Sequence, residues 1–246
     1  DTDKIPSHLH YSSSHPELTF NQEIINATQD LCVAYKLNIA FYEQMGIKGW
    51  QLLADTLDHI PDDILVIADA KRGDIGNTSR KYAETFFNTF QFDAVTVSPY
   101  MGRDSIAPFL EFTDKWTIVL GLTSNEGSQD FQAMTCNGQQ LYEHVVTKAS
   151  QWAGPEQLMI VTGATHPSYF QNIRHHVPHH FMLVPGIGKQ GGDVSKVLDQ
   201  LATADGGVLI NAARSIIYAD TGEQFAEAAR GEALQLKDQM KPYIPS

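Results

Sequence analysis

At 246 residues, with 42% hydrophobic and 19% charged side chains, the chain is long enough for one large α/β barrel or two small domains. A formal net charge of −12 argues against nucleic acid or an anionic membrane as a partner, and no apolar run approaches the about 20 residues that span a bilayer. Cys32 and Cys136 form no CxxC pair and no signal peptide is evident, so a soluble, reduced, cytoplasmic protein is expected, with the N-x-S/T matches at Asn26 and Asn77 idle.

From Asp1 the chain opens in a loop rich in Ser, Pro and His, and a helical spacing follows over 17–30. Leu31–Tyr35 reads as a buried strand ending at Lys36, before a helix over 40–59. The apolar run 64–68 is the next strand, and it meets charge at Asp69 in VIADAKRGDIGNT. A helix with an acidic first turn is expected over 74–90. Strands at 92–97, 116–120, 158–161, 181–184 and 207–210 follow, separated by helical patterns at 105–112, 139–153 and a short one after Gly163, with a closing helix over 222–240. A long polar loop, 125–138, interrupts the alternation and could close over a site or simply be mobile.

Strands that alternate with helices are the signature of a parallel sheet. Seven candidates, plus one expected ahead of Asp1 and missing or incomplete here, make a TIM (β/α)8 barrel formed by a single domain over 1–246. Polar residues gather where the strands end, which in such barrels is the catalytic face.

Asp69, Lys71 and Asp74 give a minus, plus, minus series. On an extended backbone residues i and i+2 share a face, so Asp69 and Lys71 should project together. Two readings stay open: a solvated turn with weak ion pairs, or a lysine kept protonated by carboxylates to meet developing carbanion charge. Gly186-Ile-Gly-Lys-Gln-Gly191 fits G-x-G-x-x-G, but it lies far from a first strand and lacks an acidic ribose partner, which weighs against a dinucleotide. Glycines that admit an oxyanion to backbone N–H groups, with Arg214 as a bidentate partner, point to phosphate, against the alternative of a tight turn and a surface arginine. The histidines of HHVPHH, residues 175–180, precede a strand and are broken by Pro178, which favours a structural role over metal binding. Arg72 and Lys189 either touch ligand or merely balance charge, the reading as solvated surface charges being favoured.

Taken together, Lys36, Asp69, Lys71, Asp74, Thr78, Ser124, Gln190 and Arg214, within YKLNIAFYE, DAKRGDIGNT, GLTSNEGSQDFQ, VTGATHP, LVPGIGKQGGD and INAARSIIYA, resemble the orotidine 5′-phosphate decarboxylase family in its longer, bacterial-type branch. The resemblance covers nearly the whole chain. It implies a carboxy-lyase of pyrimidine (UMP) biosynthesis, usually a homodimer, that converts orotidine 5′-monophosphate to UMP and CO2 without metal or organic cofactor. It further implies that Lys71 is the proton donor to C6, that Asp69 faces the substrate carboxyl group, and that Lys36 bonds the ribose and the acidic residues. Asp74 and Thr78 would reach the neighbouring site of the dimer. Ser124 would bind the pyrimidine, Gln190 would span base and phosphate, Arg214 and the Gly188 loop would hold phosphate, and Asp1 would bond a ribose hydroxyl. Ala212-Ala213 departs from the family, where a serine is expected. Rival readings are a Mg²⁺-dependent sugar-phosphate decarboxylase or synthase with the same Asp-x-Lys-x-x-Asp motif, a Schiff-base aldolase, and a non-catalytic nucleotide-phosphate binder.

Overall fold

The computed structural model describes residues 1–188 and 192–244. Strands β1 (Ala34–Asn38), β2 (Leu65–Arg72), β3 (Ala94–Val97), β4 (Trp116–Leu122), β5 (Leu158–Thr162), β6 (Met182–Pro185) and β7 (Val208–Asn211) follow one another across one sheet in chain order. The pairings β1–β2, β3–β4, β4–β5, β5–β6 and β6–β7 are all parallel. The chain divides into two compact units, the first formed by residues 1–70 and 212–241 and the second by residues 71–211 with the tail from 242.

In the first unit, helix α1 (Pro16–Thr28) places Phe20 and Ile24 one turn apart on one face, where they pack with Leu9, Phe225 and Ala229. Phe225 opens the closing helix α8 (Phe225–Met240), and its ring stacks on Phe20 at 5.3 Å. Arg230 of α8 donates to both carboxylate oxygens of Asp30 at 2.6 and 2.8 Å and to the Ala27 carbonyl at 2.7 Å, tying the end of α1 to α8. This bidentate bond holds the Asp30 carboxyl down to about 2.

Two boundaries here correct the sequence reading. Strand β1 begins at Ala34 rather than Leu31, because its register is set by pairing Ala34 with Leu65; Val33 is left exposed, and Lys36 sits in mid-strand. The helix expected over 40–59 is two, Ala40–Glu43 and α2 (Ile47–Leu57), separated by Gly46 at φ 62°, a left-handed value that an L side chain adopts only at a cost. Ahead of β1 the described residues form helices and turns, so the expected eighth strand is not among them.

In the second unit, β3 and β5 are buried at every residue, as befits strands covered on both faces. Helices α3 (Gly76–Glu84), α4 (Arg103–Leu110), α5 (Leu141–Ala149), α6 (Phe170–His176) and α7 (Val194–Leu201) alternate with these strands. The segment expected as one helix over 74–90 is α3 followed by a wider π-helical turn, Thr85–Thr89, which buries Phe86 and Phe87. The long polar loop is not structureless. It contains a helical turn, Ser128–Phe131, and a two-stranded antiparallel ribbon, Thr135–Cys136 with Gln139–Gln140.

Candidate active site

The site residues expected from sequence fall on both units. In the first, the parallel register sets Lys36 opposite Ile67 and Asn38 opposite Asp69, and Lys36 Nζ donates to Asp69 Oδ2 at 2.6 Å. Both side chains are nearly out of water, 12% and 10% exposed, a position charged groups hold only when paired. Lys36 also lines a cavity of about 530 Å3 together with Asp1, Asn38, Ala213 and Arg214, whose remaining wall is mainly apolar, with Phe20, Ile24, Leu37 and Tyr42. The first unit therefore gathers Asp1, Lys36 and Arg214 on one cavity, with Asp69 held through Lys36. Asp1 precedes a 3-10 turn, Thr2–Lys4, where its carboxylate lies 3.6 Å from Lys4 Nζ.

Strand β2 runs past Ala68 to Arg72, so Asp69 and Lys71 lie within its C-terminal end, and Asp74 lies beyond it, at the turn into α3. The backbone changes character there. Lys71 has φ 47°, in the left-handed region, and the pleat that would align its side chain with that of Asp69 does not hold at this residue. Such a conformation costs a lysine about 1–3 kcal/mol and persists only where neighbouring contacts impose it. Lys71 N–H donates to Thr96 Oγ1 at 3.0 Å, and the Arg72 carbonyl accepts from Ser98 N–H at 2.7 Å. The Arg72 guanidinium lies 5.2 Å from the Tyr82 ring centre and 5.4 Å from that of Phe86, so Arg72 is a cation set over two rings and not the solvated surface charge that the sequence favoured. The Asp74 carboxylate accepts from Ile75 N–H at 2.8 Å at the turn into α3, and Thr78 is exposed in that helix's first turn.

Ser124 follows β4 and is half-buried beside two glycines from later strand ends. A Cβ on Gly163 would lie 2.6 Å from Ser124 N, and one on Gly186 would lie 3.6 Å from Ser124 Cβ. Gly163 is therefore required by close approach of two chains, and Gly186, at φ 95°, by its backbone conformation. The glycine-rich loop is closed at its base, where Gly192 N–H donates to Gly186 O at 2.9 Å and Gly192 packs on Ala164. Gly188, at φ 145°, belongs to this loop; Lys189, Gln190 and Gly191 lie outside the described residues.

The HHVPHH stretch has a different surrounding. Arg174, just before it, donates to the carbonyls of Val177, His180, Leu201 and Gly207, and burial lowers its guanidinium to about 10. His176 bonds Thr147 Oγ1 at 3.0 Å and lies 3.6 Å from Glu143, while buried His180 contacts the Ala153 carbonyl at 3.4 Å. Burial works to raise the Glu143 carboxyl, but bonds from Gln140 N–H, Asn172 and His176 outweigh it and hold it below its ordinary value. Among the described residues, no three His, Cys, Asp or Glu side chains are grouped to hold a metal ion.

The match to known proteins bears on both ends of this arrangement. Residues 15–229 fit the model of the orotidine 5′-phosphate decarboxylase / HUMPS family. The chain belongs to that family. It is 51% identical to the orotidine 5′-phosphate decarboxylase of Bacteroides fragilis (strain YCH46) over 246 residues, covering 98% of this chain and 89% of the relative. Against the enzyme of that name from Flavobacterium johnsoniae it is again 51% identical, over 249 residues, 100% of this chain and 91% of the relative. Among solved structures, Leishmania donovani OMP decarboxylase superposes with a TM-score of 0.80 at 35% identity, over 90% of this chain and 87% of that one. The fold class is accordingly the family's TIM barrel, as the alternation of elements led us to expect. No described helix is long and apolar enough to cross a membrane.

Three residues of this region escaped the sequence reading. Asn38 ends β1 and lines the cavity, and its position became legible only with the register of β1. Thr96 reads as an ordinary β-branched strand residue, yet its hydroxyl holds Lys71. Gly163 follows a strand at once, a signal of close backbone approach that the sequence carries.

Proposed function

We propose that the chain decarboxylates orotidine 5′-monophosphate to UMP and CO2, the carboxy-lyase step of pyrimidine biosynthesis. The observation that carries this reading is the end of β2: an aspartate sealed against Lys36 and, two residues on, a lysine in a strained backbone at the surface of the strand end. Loss of CO2 leaves the bonding electron pair at C6 of the pyrimidine, and Lys71 as an ammonium gives that carbon its proton, so a preorganised cation meets the charge as it forms. Asp69 faces the departing carboxyl group. Lys36 bonds the ribose and fixes Asp69, and Asp1 takes a ribose hydroxyl. Ser124 binds the pyrimidine, and Gln190, Gly188 and Arg214 hold base and phosphate. Support for these assignments is that Asp1, Lys36 and Arg214 share one cavity and that Ser124 lies against Gly186. In this reading the reaction needs no metal or organic cofactor, since the ammonium supplies the cation.

Residues 1–246 act as a single TIM-barrel domain in a cytoplasmic homodimer, with Asp74 and Thr78 reaching the neighbouring site. The dimer reading is supported by the exposed apolar residues Ile75, Tyr100 and Met101 around the Gly73 turn next to Asp74, and the cytoplasm by two free thiols.

Turnover of orotidine 5′-monophosphate followed by its absorbance in EDTA, with UMP identified as product, tests the proposal. Turnover at an enzyme-like rate is expected. Inactivity in EDTA with activity on a sugar phosphate once Mg²⁺ is restored would overturn it, as would tight binding of UMP without turnover.

A further inference from the structure

We propose that Thr96 is a positioning residue for Lys71: its buried hydroxyl imposes the backbone conformation from which the lysine works. The inference rests on the reading of Lys71 as proton donor. A lysine at a strand end would by default stay extended, and nothing in the side chain itself favours φ 47°. The conformation has to be held from outside.

Two contacts bracket it. Ahead of Lys71, its own N–H donates to Thr96 Oγ1 at 3.0 Å, a side-chain acceptor reaching across from the neighbouring strand. Beyond it, the Arg72 carbonyl is taken by Ser98 N–H, and the Arg72 guanidinium rests on Tyr82 and Phe86. Thr96 is 1% exposed in β3, paired with Ile118 in β4, and so cannot move aside to follow a relaxing strand end. Of these holds, the hydroxyl is the one a substitution can remove without changing shape. Valine fills the same volume but accepts nothing, leaving the Lys71 N–H without this partner and freeing φ to return to the extended region, which turns the side chain away from its working direction. Serine does the reverse: it keeps the acceptor and gives up a packed methyl group.

Stability and activity should therefore separate in opposite senses. Thr96→Val is expected to keep its melting midpoint and lose about 10²-fold in kcat with KM little changed, the cost of misplacing a reacting group by about 1 Å. Thr96→Ser is expected to melt lower than Thr96→Val and keep kcat. If Thr96→Val does not fold, Thr96→Ser and Thr96→Ala, which differ only in the hydroxyl, decide the matter by the same kcat contrast. Wild-type kcat in Thr96→Val, or equal losses in the serine and hydroxyl-free variants, would overturn the proposal. Lys71→Ala separates the two claims. If it is inactive while Thr96→Val is fully active, only the positioning role of Thr96 fails; if it turns over like wild type, the reading of Lys71 fails and the role of Thr96 falls with it.

Discussion

Two charge-rich stretches of the second unit, Lys71–Asp74 and Arg174–His180, look alike in composition and are opposites in structure. Around Arg174 the polar groups are spent on the fold. The guanidinium serves four carbonyls, and His176 and His180 bond neighbouring groups, next to a carboxylate held by Gln140 and Asn172. At Lys71 the fold surrounds a strained, exposed lysine with fixed contacts: Thr96 bonds its N–H, and Ser98, Tyr82 and Phe86 hold the adjoining Arg72. A cluster of titratable side chains thus says little by itself; backbone strain is the observation on which the proposed role of Lys71 rests.

The comparison can be broken from either side. Lys71→Ala should lower turnover of orotidine 5′-monophosphate by about 10⁴-fold or more, since it removes both the proton and the cation, while the protein still binds UMP and melts cooperatively. Steady-state kinetics and a thermal melt would check both halves. Arg174→Met should do the reverse. It strips the donors from four carbonyls and should cost about 3 kcal/mol or more in a denaturant titration, with kcat unchanged below the transition.

Glu143→Gln is a milder test on the structural side. The carboxylate accepts from Gln140 N–H and Asn172 and pairs with His176, so the amide should lose about 1–2 kcal/mol, again with kcat kept. The smallest effect belongs to Asp30. Its folded pKa is depressed to about 2, below its unfolded value, so its contribution is present above about pH 4 and is lost as pH falls towards 2. Asp30→Asn should flatten the acid limb of the stability curve and leave stability at neutral pH only slightly lower, as acid melts of both proteins would show.

How much of this could be read from sequence follows the same division. The order of strands and their parallel winding were legible, because apolar runs ending on polar residues report directly on buried strands and their ends. The start of β1 was not, since the Ala34–Leu65 pairing and not local apolarity sets it. The break at Gly46 carries a local signal, a glycine within a helical pattern. The geometry of Lys71 was not legible: lysine has no preference for φ 47°, and the hydroxyl that bonds its N–H comes from Thr96, 25 residues away in the chain. The place of the HHVPHH segment ahead of a strand was legible, whereas the four carbonyl bonds made by Arg174 were not.

The most direct test of the central claim, that the fold holds Lys71 under strain for its chemistry, is to measure turnover and melting midpoint of Lys71→Gly beside Lys71→Ala. Elsewhere in a strand glycine is the less stable of the two, but at a left-handed φ it is relieved of the strain that alanine still bears. The account predicts that both variants lack turnover and that the glycine variant melts higher, by roughly 2–4 °C for about 1 kcal/mol. A glycine variant that melts lower than the alanine variant, or turnover retained by either, would contradict it.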